Sequence, residues 1–351
     1  MTIDFDDFRY YPSLRSRLWE MRGYAELPYE EKTKILPIIP LASHHRTRKI
    51  EDVAAKVRGY FGGLPRILDL EQSPVYSCDE YRMLLNPDRG FAAWRDFVIS
   101  QPNSIPTALL SADASIRDIV QQVRLLERHA GKVVIRSRLP TLNLPTMKAI
   151  ISAVDDVNNL MMVLDFGYVK SKASKVVLEA ADVINSLRDS NDVVRIVIMG
   201  SSYPKSTTIY DEAGAAIPIQ ERAIHAALGG NAIAFYGDYG SIHPEPMEPT
   251  MARSVPRIDY PLPDAWVFRR IRADQGGYIK CAELITDLTD WQPDLVGKVW
   301  GADKISAASV GDIASMAAPG PWIAVRVNLH LWQQIHYQDV ESDSDRFDEF
   351  V

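Results

Sequence analysis

The stretch Leu160 to Val169, Leu-Met-Met-Val-Leu-Asp-Phe-Gly-Tyr-Val, limits the fold more than any other. An apolar run without polar alternation is what a strand needs when both of its faces are covered, as in a parallel sheet flanked by helices. The run stops at an acid, Asp165, just before Gly167. A lone acid there reads equally as a turn residue or as a group carried on the strand's end. Repetition favours the second reading. Lys132 to Pro140 runs through Val-Val-Ile to Arg136 and Arg138, Val193 to Pro204 runs through Ile-Val-Ile-Met to Gly200, Ser201 and Ser202, and Asn231 to Gly240 ends in Gly237, Asp238 and Tyr239. Helical stretches lie between them. The repeated unit is strand, polar exit, helix, which demands parallel strands joined by right-handed crossovers.

Strand starts fall near Arg9, Ile35, Arg66, Ile105, Lys132, Leu160, Val193 and Ala232, eight in all and 26 to 39 residues apart. That spacing predicts an α/β chain folded as a (β/α)8 TIM-barrel-like structure, with its strands in residues 1–243. An open doubly wound sheet is the alternative, disfavoured by the count of eight and by the lack of a glycine-rich first turn. From residue 244 to 319 the pattern changes. The segment is proline-rich at its start, too long for a strand-to-helix connection, and carries a candidate strand at Ala265 to Ile271. It is expected to be a long insertion after strand eight, placed as a lid over the barrel mouth. Residues 320–338 then supply the final barrel helix, and residues 339–351 an acidic flexible tail.

Charge and cysteine content exclude several classes. Apolar content of 46% supports a substantial core, and five of the seven net negative charges sit between Asp339 and Val351. The body is therefore nearly neutral, with no general attraction to nucleic acid. Cys78 and Cys281 form no paired motif, so neither a disulfide scaffold nor a zinc site is expected. The first residues carry acids where a signal peptide would carry lysines, and no apolar run approaches the ~18 residues of a membrane span. The expectation is a cytoplasmic protein with no membrane partner. A basic loop, Ser43 to Lys49, holds His44 and His45 and suits contact with a phosphate or an acidic partner.

A closed barrel would gather Arg15, Asp69, Glu71, Arg136, Arg138, Asp165, Ser201 and Asp238 at its carboxyl rim. Such a set either pairs off as an inert ion network or does chemistry. In the chemical reading, Asp69, Glu71, Asp165 and Asp238 are the catalytic carboxylates around magnesium or manganese. Arg15, Arg136, Arg138 and Ser201 then hold a phosphate-bearing ligand. Asp165-Phe166-Gly167 copies the kinase metal-binding triplet, yet no glycine-rich loop, strand lysine or catalytic loop accompanies it. His330 and His336 stand six apart on a helix and cannot share a metal. Trp291, Trp300, Trp322 and Trp332 cluster late, with core positions and partner contact as the competing readings.

Several short motifs together resemble the beta proteins, a family of phage-satellite origin. They are Tyr10-Tyr11-Pro12-Ser13-Leu14-Arg15-Ser16-Arg17 with Glu20, Leu36-Pro37-Ile38-Ile39-Pro40-Leu41, Ile67-Leu68-Asp69, Trp300-Gly301, and Trp322 with Val327-Asn328-Leu329-His330-Leu331. The resemblance implies a gene of phage, satellite or defence-island setting, whose product accompanies a toxic partner and restrains it during exclusion of competing phages. The family offers no catalytic residues to carry over. Arg15 and Asp69, in the shared motifs, are the first choices for function, and Trp300 and His330 for contact with a co-encoded effector. Pro40 stands where many relatives have an acid, which puts chemistry built on strand two in doubt. The expected function is a regulatory barrel that recognises its effector; the alternative is a metal-dependent phosphodiesterase or nuclease-like hydrolase at the barrel's C-terminal mouth.

Overall fold

A computed structural model describes residues 3–43, 49–207, 210, 213–246 and 255–338. The histidines and arginines at 44–48 and the acidic segment 339–351 lie outside the described residues. Among the described residues eight parallel strands follow one another around a ring. They are β1 (Tyr10–Pro12), β2 (Ile38–Leu41), β3 (Arg66–Leu70), β4 (Ser104–Ala108), β5 (Val133–Ser137), β6 (Leu160–Tyr168), β7 (Arg195–Ser201) and β9 (Phe235–Asp238); a further strand, β8 (Gly214–Pro218), lies outside the ring. Each strand pairs with its neighbour in chain order, and β9 returns to β1 with Tyr11 opposite Gly237. Two backbone bonds, Leu14 N to the Ile38 carbonyl at 2.9 Å and Leu36 N to the Tyr10 carbonyl at 3.2 Å, join β1 to β2. The sheet is thus a barrel of the TIM type, as the eight-fold spacing predicted.

Helices α1 (Leu18–Ala25), α2 (Tyr29–Lys32), α3 (Ile50–Phe61), α4 (Asp79–Leu84), α5 (Asp88–Ile99), α6 (Ile116–Ala130), α7 (Pro140–Ile151), α8 (Ala173–Arg188), α9 (Gln220–Ala227) and α12 (Pro319–Ile335) surround the ring, while α10 (Gly277–Thr286) and α11 (Trp300–Ser309) pack beside α12. Helix α6 shows why such a segment folds as it does. The Ser115 hydroxyl caps it by accepting from Asp118 N, Ile119, Val123 and Leu126 turn one face inward, and Gly131 closes it in the left-handed region. Helix α7 begins at Pro140, which fits the first helical turn, where its missing N–H costs nothing.

Alternation along the strands sorts side chains into two layers. Tyr11, Ile38, Ile67, Ile105, Val134, Met161, Val163, Val197 and Met199 fill the barrel interior, which Phe5 and Phe8 plug from below. Leu68, Leu70, Ile135, Leu164, Ile196, Ile198 and Tyr236 face the helices. The odd and even positions of each strand therefore have separate destinations.

The insertion after β9 holds β10 (Arg257–Pro261), β11 (Ala265–Arg270), α10 and α11. Strands β10 and β11 form an antiparallel sheet completed by β8, in the order β10-β11-β8. Sequence periodicity marked only the β11 region. Strand β8, Gly-Ala-Ala-Ile-Pro, lies between β7 and α9 without apolar alternation of its own, and it buries only Ile217. It exists because β11 offers it an edge. The two chains approach so closely that a Cβ at Gly214 would run into the Phe268 carbonyl. No helix of the described residues is long and apolar enough to cross a membrane.

Candidate functional site

Strand parity decides what meets at the mouth. In β3 the interior set is Ile67 and then Asp69; in β5 it is Val134 and then Arg136; in β6 it is Met161, Val163 and then Asp165. The three charges therefore rise in register from the barrel's apolar filling. Arg136 donates Nε to Asp165 at 2.9 Å and Nη1 to Asp69 at 3.2 Å, with Nη2 also 2.8 Å from Asp165. All three side chains are buried. Tyr239 closes the group, its hydroxyl donating to Asp165 at 2.6 Å and its ring lying 5.4 Å from the guanidinium.

Gly167 explains the shape of the strand end. At φ 60° it occupies the left-handed region, which bends the chain so that its N–H donates back to Asp165 at 2.9 Å. The Asp-Phe-Gly triplet is thus a turn that holds an acid in place. Beside it, Arg138 donates Nη1 to Glu71 at 3.1 Å and stands 4.0 Å from Asp165 through Nε. Burial raises the Asp69 carboxyl above its ordinary value, against the pull of Arg136 and Arg138. Burial also pushes Glu71 up, but Arg138, the Ser73 amide and Arg136 outweigh it and hold Glu71 below the carboxylate range. Burial works against the charge of Arg136 too, and Asp165, Tyr239 and Asp69 more than restore it.

Asp238 does not join this cluster. Gly237 is the interior residue of β9, so Asp238 turns to the helix layer with Tyr236. There it accepts from Tyr10 at 2.7 Å, from the Gly240 amide at 2.8 Å, from Tyr236 at 3.1 Å and from His330 Nε2 at 2.7 Å. An ionised carboxylate only accepts, so Nε2 carries the proton. Burial raises Asp238, and His330 with the Gly240 and Tyr10 donors outweighs it, leaving the carboxyl below its ordinary value. His330 is completely buried and stacks on Trp266 with ring centres 5.8 Å apart. It stands in the core, away from any docking surface.

The remaining expected residues fall elsewhere on the rim. Ser201 spends its hydroxyl on the Ile242 carbonyl at 3.1 Å and accepts from Tyr203 N at 3.1 Å. Arg15 donates Nη2 to the carbonyls of His243 and Pro244 at 2.9 and 2.7 Å. Trp300 is half-buried at the start of α11, with Arg22 and Lys304 each 5.9 Å from its ring. Sequence reasoning missed a second ion group, in which Arg326 on α12 and Arg257 on β10 share Asp259 at 2.7 and 3.1 Å, with Tyr203 donating at 3.2 Å. A signal existed: Arg326 interrupts the inward apolar face of the last helix.

Two recesses open at the mouth. One, of about 920 Å3, lies over the ends of β3, β4 and β5 and is lined by Asp69, Arg82, Asp113, Arg136, Arg138, Leu139 and Leu142 among others. The other, of about 470 Å3, lies across the ring at the exits of β1, β7 and β9. Among the described residues no group of three or more His, Cys, Asp or Glu side chains is placed to hold a metal ion. The acids named for that role are divided between two layers, and those at the mouth already face arginines.

Comparison with known proteins agrees with the motifs. The family profile described as "Beta protein" matches residues 10–336. "Protein beta" of Enterobacteria phage P4 is 36% identical over 346 residues, which covers 97% of this chain and 96% of that protein. Two of the motifs named above, Trp300-Gly301 and Val327-Asn328-Leu329, meet in the fold. Gly301 N donates to Asn328 Oδ1 at 2.9 Å while Asn328 Nδ2 donates to the Gly23 carbonyl at 3.0 Å, tying α1, α11 and α12 together. With a family match over nearly its whole length, the chain belongs to the beta protein family.

Proposed function

We propose that this barrel is a regulatory member of a phage-exclusion module and that it recognises a co-encoded effector protein at its C-terminal mouth. The observation that carries the reading is the larger recess. Its rim exposes two leucines, Leu139 at 59% and Leu142 at 73%, beside the half-exposed Arg138 and above buried arginine-acid pairs. Large apolar side chains ringed by charge are characteristic of protein interaction sites, where a few anchors carry most of the affinity. The carboxylates beneath them are committed to Arg136 and Arg138, so they shape the floor without offering free oxygens to a metal.

The test is purification of the tagged protein from its native gene neighbourhood. A neighbouring gene product is expected to co-purify, and the double change Leu139→Asp with Leu142→Asp, checked for folding by circular dichroism, is expected to abolish capture. Recovery of no neighbour, or capture unaffected by the two aspartates, refutes the reading. A hydrolase of the metal-dependent type predicts instead that magnesium or manganese binds with measurable heat and that Asp165→Ala removes it.

A further inference from the structure

The smaller recess has the chemistry of a ligand site. Its volume of about 470 Å3 falls within the roughly 300–1,000 Å3 of small-molecule pockets. Its lining brings Arg15, Arg17, Lys205, Arg257, Arg270 and Arg326 together with two carboxylates, Glu20 and Asp259. Arg257 and Arg326 share the single charge of Asp259. Arg15 is fixed by two carbonyl oxygens, and Arg17 by the Tyr76 hydroxyl at 2.7 Å, bonds that orient a cation without neutralising it. The buried Nε atoms of Arg17 and Arg326 have no hydrogen-bond partner among the described residues. A buried donor left unpaired is destabilising unless something fills its place.

The same lining carries aromatic and apolar side chains, Trp19, Tyr278, Trp322, Val255 and Ile323. Trp19 keeps its position because residue 320 is a glycine, at which any Cβ would collide with the indole. The guanidinium groups of the lining therefore suit an anion with several oxygens, and its rings a flat group. Planar guanidinium forks match phosphate oxygens, and the loops after strands seven and eight are where barrel folds most often hold phosphate. Aromatic walls accept bases by stacking.

From this we infer that the recess binds a nucleoside phosphate, with the phosphate toward Arg15, Arg17 and Arg326 and the base toward Trp19 and Tyr278. The inference does not depend on the effector reading, because direct binding of a small molecule reads it and co-purification does not. The experiment is isothermal titration calorimetry of the full chain with AMP, UMP, inorganic phosphate and adenosine. A nucleotide is expected to bind, inorganic phosphate to bind more weakly and to compete with it, and adenosine to give no measurable heat.

Two partly exposed positions then separate the cationic contact from the aromatic one. Arg17→Gln is expected to weaken nucleotide and phosphate alike by about tenfold, as loss of one charged contact should. Trp19→Ala is expected to weaken the nucleotide by about tenfold and to leave phosphate unchanged. Far-UV circular dichroism confirms that both variants fold. Three results overturn the inference: no heat from either nucleotide at millimolar concentration, phosphate binding that gains nothing from the nucleoside, or nucleotide affinity indifferent to both substitutions.

Discussion

Replacing Arg136 with methionine withdraws the cation that Asp69 and Asp165 share, and the structure sets the cost. Three close approaches are lost, at 2.9 and 2.8 Å to Asp165 and 3.2 Å to Asp69. Asp165 keeps the Tyr239 hydroxyl and the Gly167 amide, and Asp69 keeps the Leu70 amide at 2.8 Å. Neither of those substitutes for a positive charge. Stranding a buried charge typically costs about 3–5 kcal/mol, and Arg138 at 4.0 Å from Asp165 places the expectation near about 3 kcal/mol. The pH dependence has a definite sign. Burial already holds Asp69 above its unfolded value, and removing Arg136 raises it further. A carboxyl raised in the folded state contributes stability below its unfolded pKa and loses it as pH climbs through the folded one. The deficit is thus greatest near pH ~7 and shrinks toward pH ~4. Urea unfolding of both proteins at the two pH values measures it. A second arm, Asp69→Leu with Arg136→Met and Asp165→Leu, removes all three charges together and is expected to restore most of the loss. A deficit under about 1 kcal/mol at neutral pH, or one indifferent to pH, refutes the claim that Arg136 holds the mouth together.

Two further outcomes follow from buried contacts. Burial raises Glu221 to about 8, even though the Ser202 amide donates to it at 2.9 Å and the Ser202 hydroxyl donates as well. Its stabilising contribution is present below about 4.5 and lost as pH rises through about 8, so Glu221→Gln is expected to flatten the fall in unfolding free energy between pH ~5 and ~9. An unchanged slope in urea titrations argues against it. At Gly301 a new Cβ would lie 2.7 Å from Leu329 Cγ and 3.0 Å from the Val325 carbonyl, so Gly301→Ala is expected to cost about 1–3 kcal/mol through overpacking, visible as a lowered urea midpoint.

The ring of strands was legible because each strand announces itself locally: an apolar run covered on both faces, a polar exit and a helix after it. What was not legible is any element whose reason for existing lies far along the chain. Strand β8 has no apolar alternation of its own and forms because β11, some fifty residues later, presents an edge. The Arg326–Asp259–Arg257 group joins α12 to β10 and could be guessed only from a charge on an apolar helix face. Spacing placed the rim residues at strand ends correctly, but end position alone does not give facing. Asp69, Arg136 and Asp165 share the interior parity; Asp238 has the other, because Tyr236 and not Gly237 carries the bulk toward the helices.

That parity has a consequence for the whole mouth. Three acids of one layer would repel one another, and four would do so more strongly; turning Asp238 outward leaves two acids for Arg136 and lets Arg138 pair with Glu71. The β3–β6 side of the mouth is therefore near charge balance and mechanically fixed. On the β1, β7 and β9 side Gly237 leaves the interior of β9 without a side chain, and Arg15 and Arg326 join the recess lining from the loop before α1 and from α12, with Glu20 and Asp259 as its acids. A surplus of cations thus lines the smaller recess on one side, and exposed leucines stand over a neutralised floor in the larger recess on the other. A single barrel end consequently presents two chemically different surfaces, one suited to an anion and one to an apolar protein anchor, and their separation around the ring is fixed by which strand positions face inward.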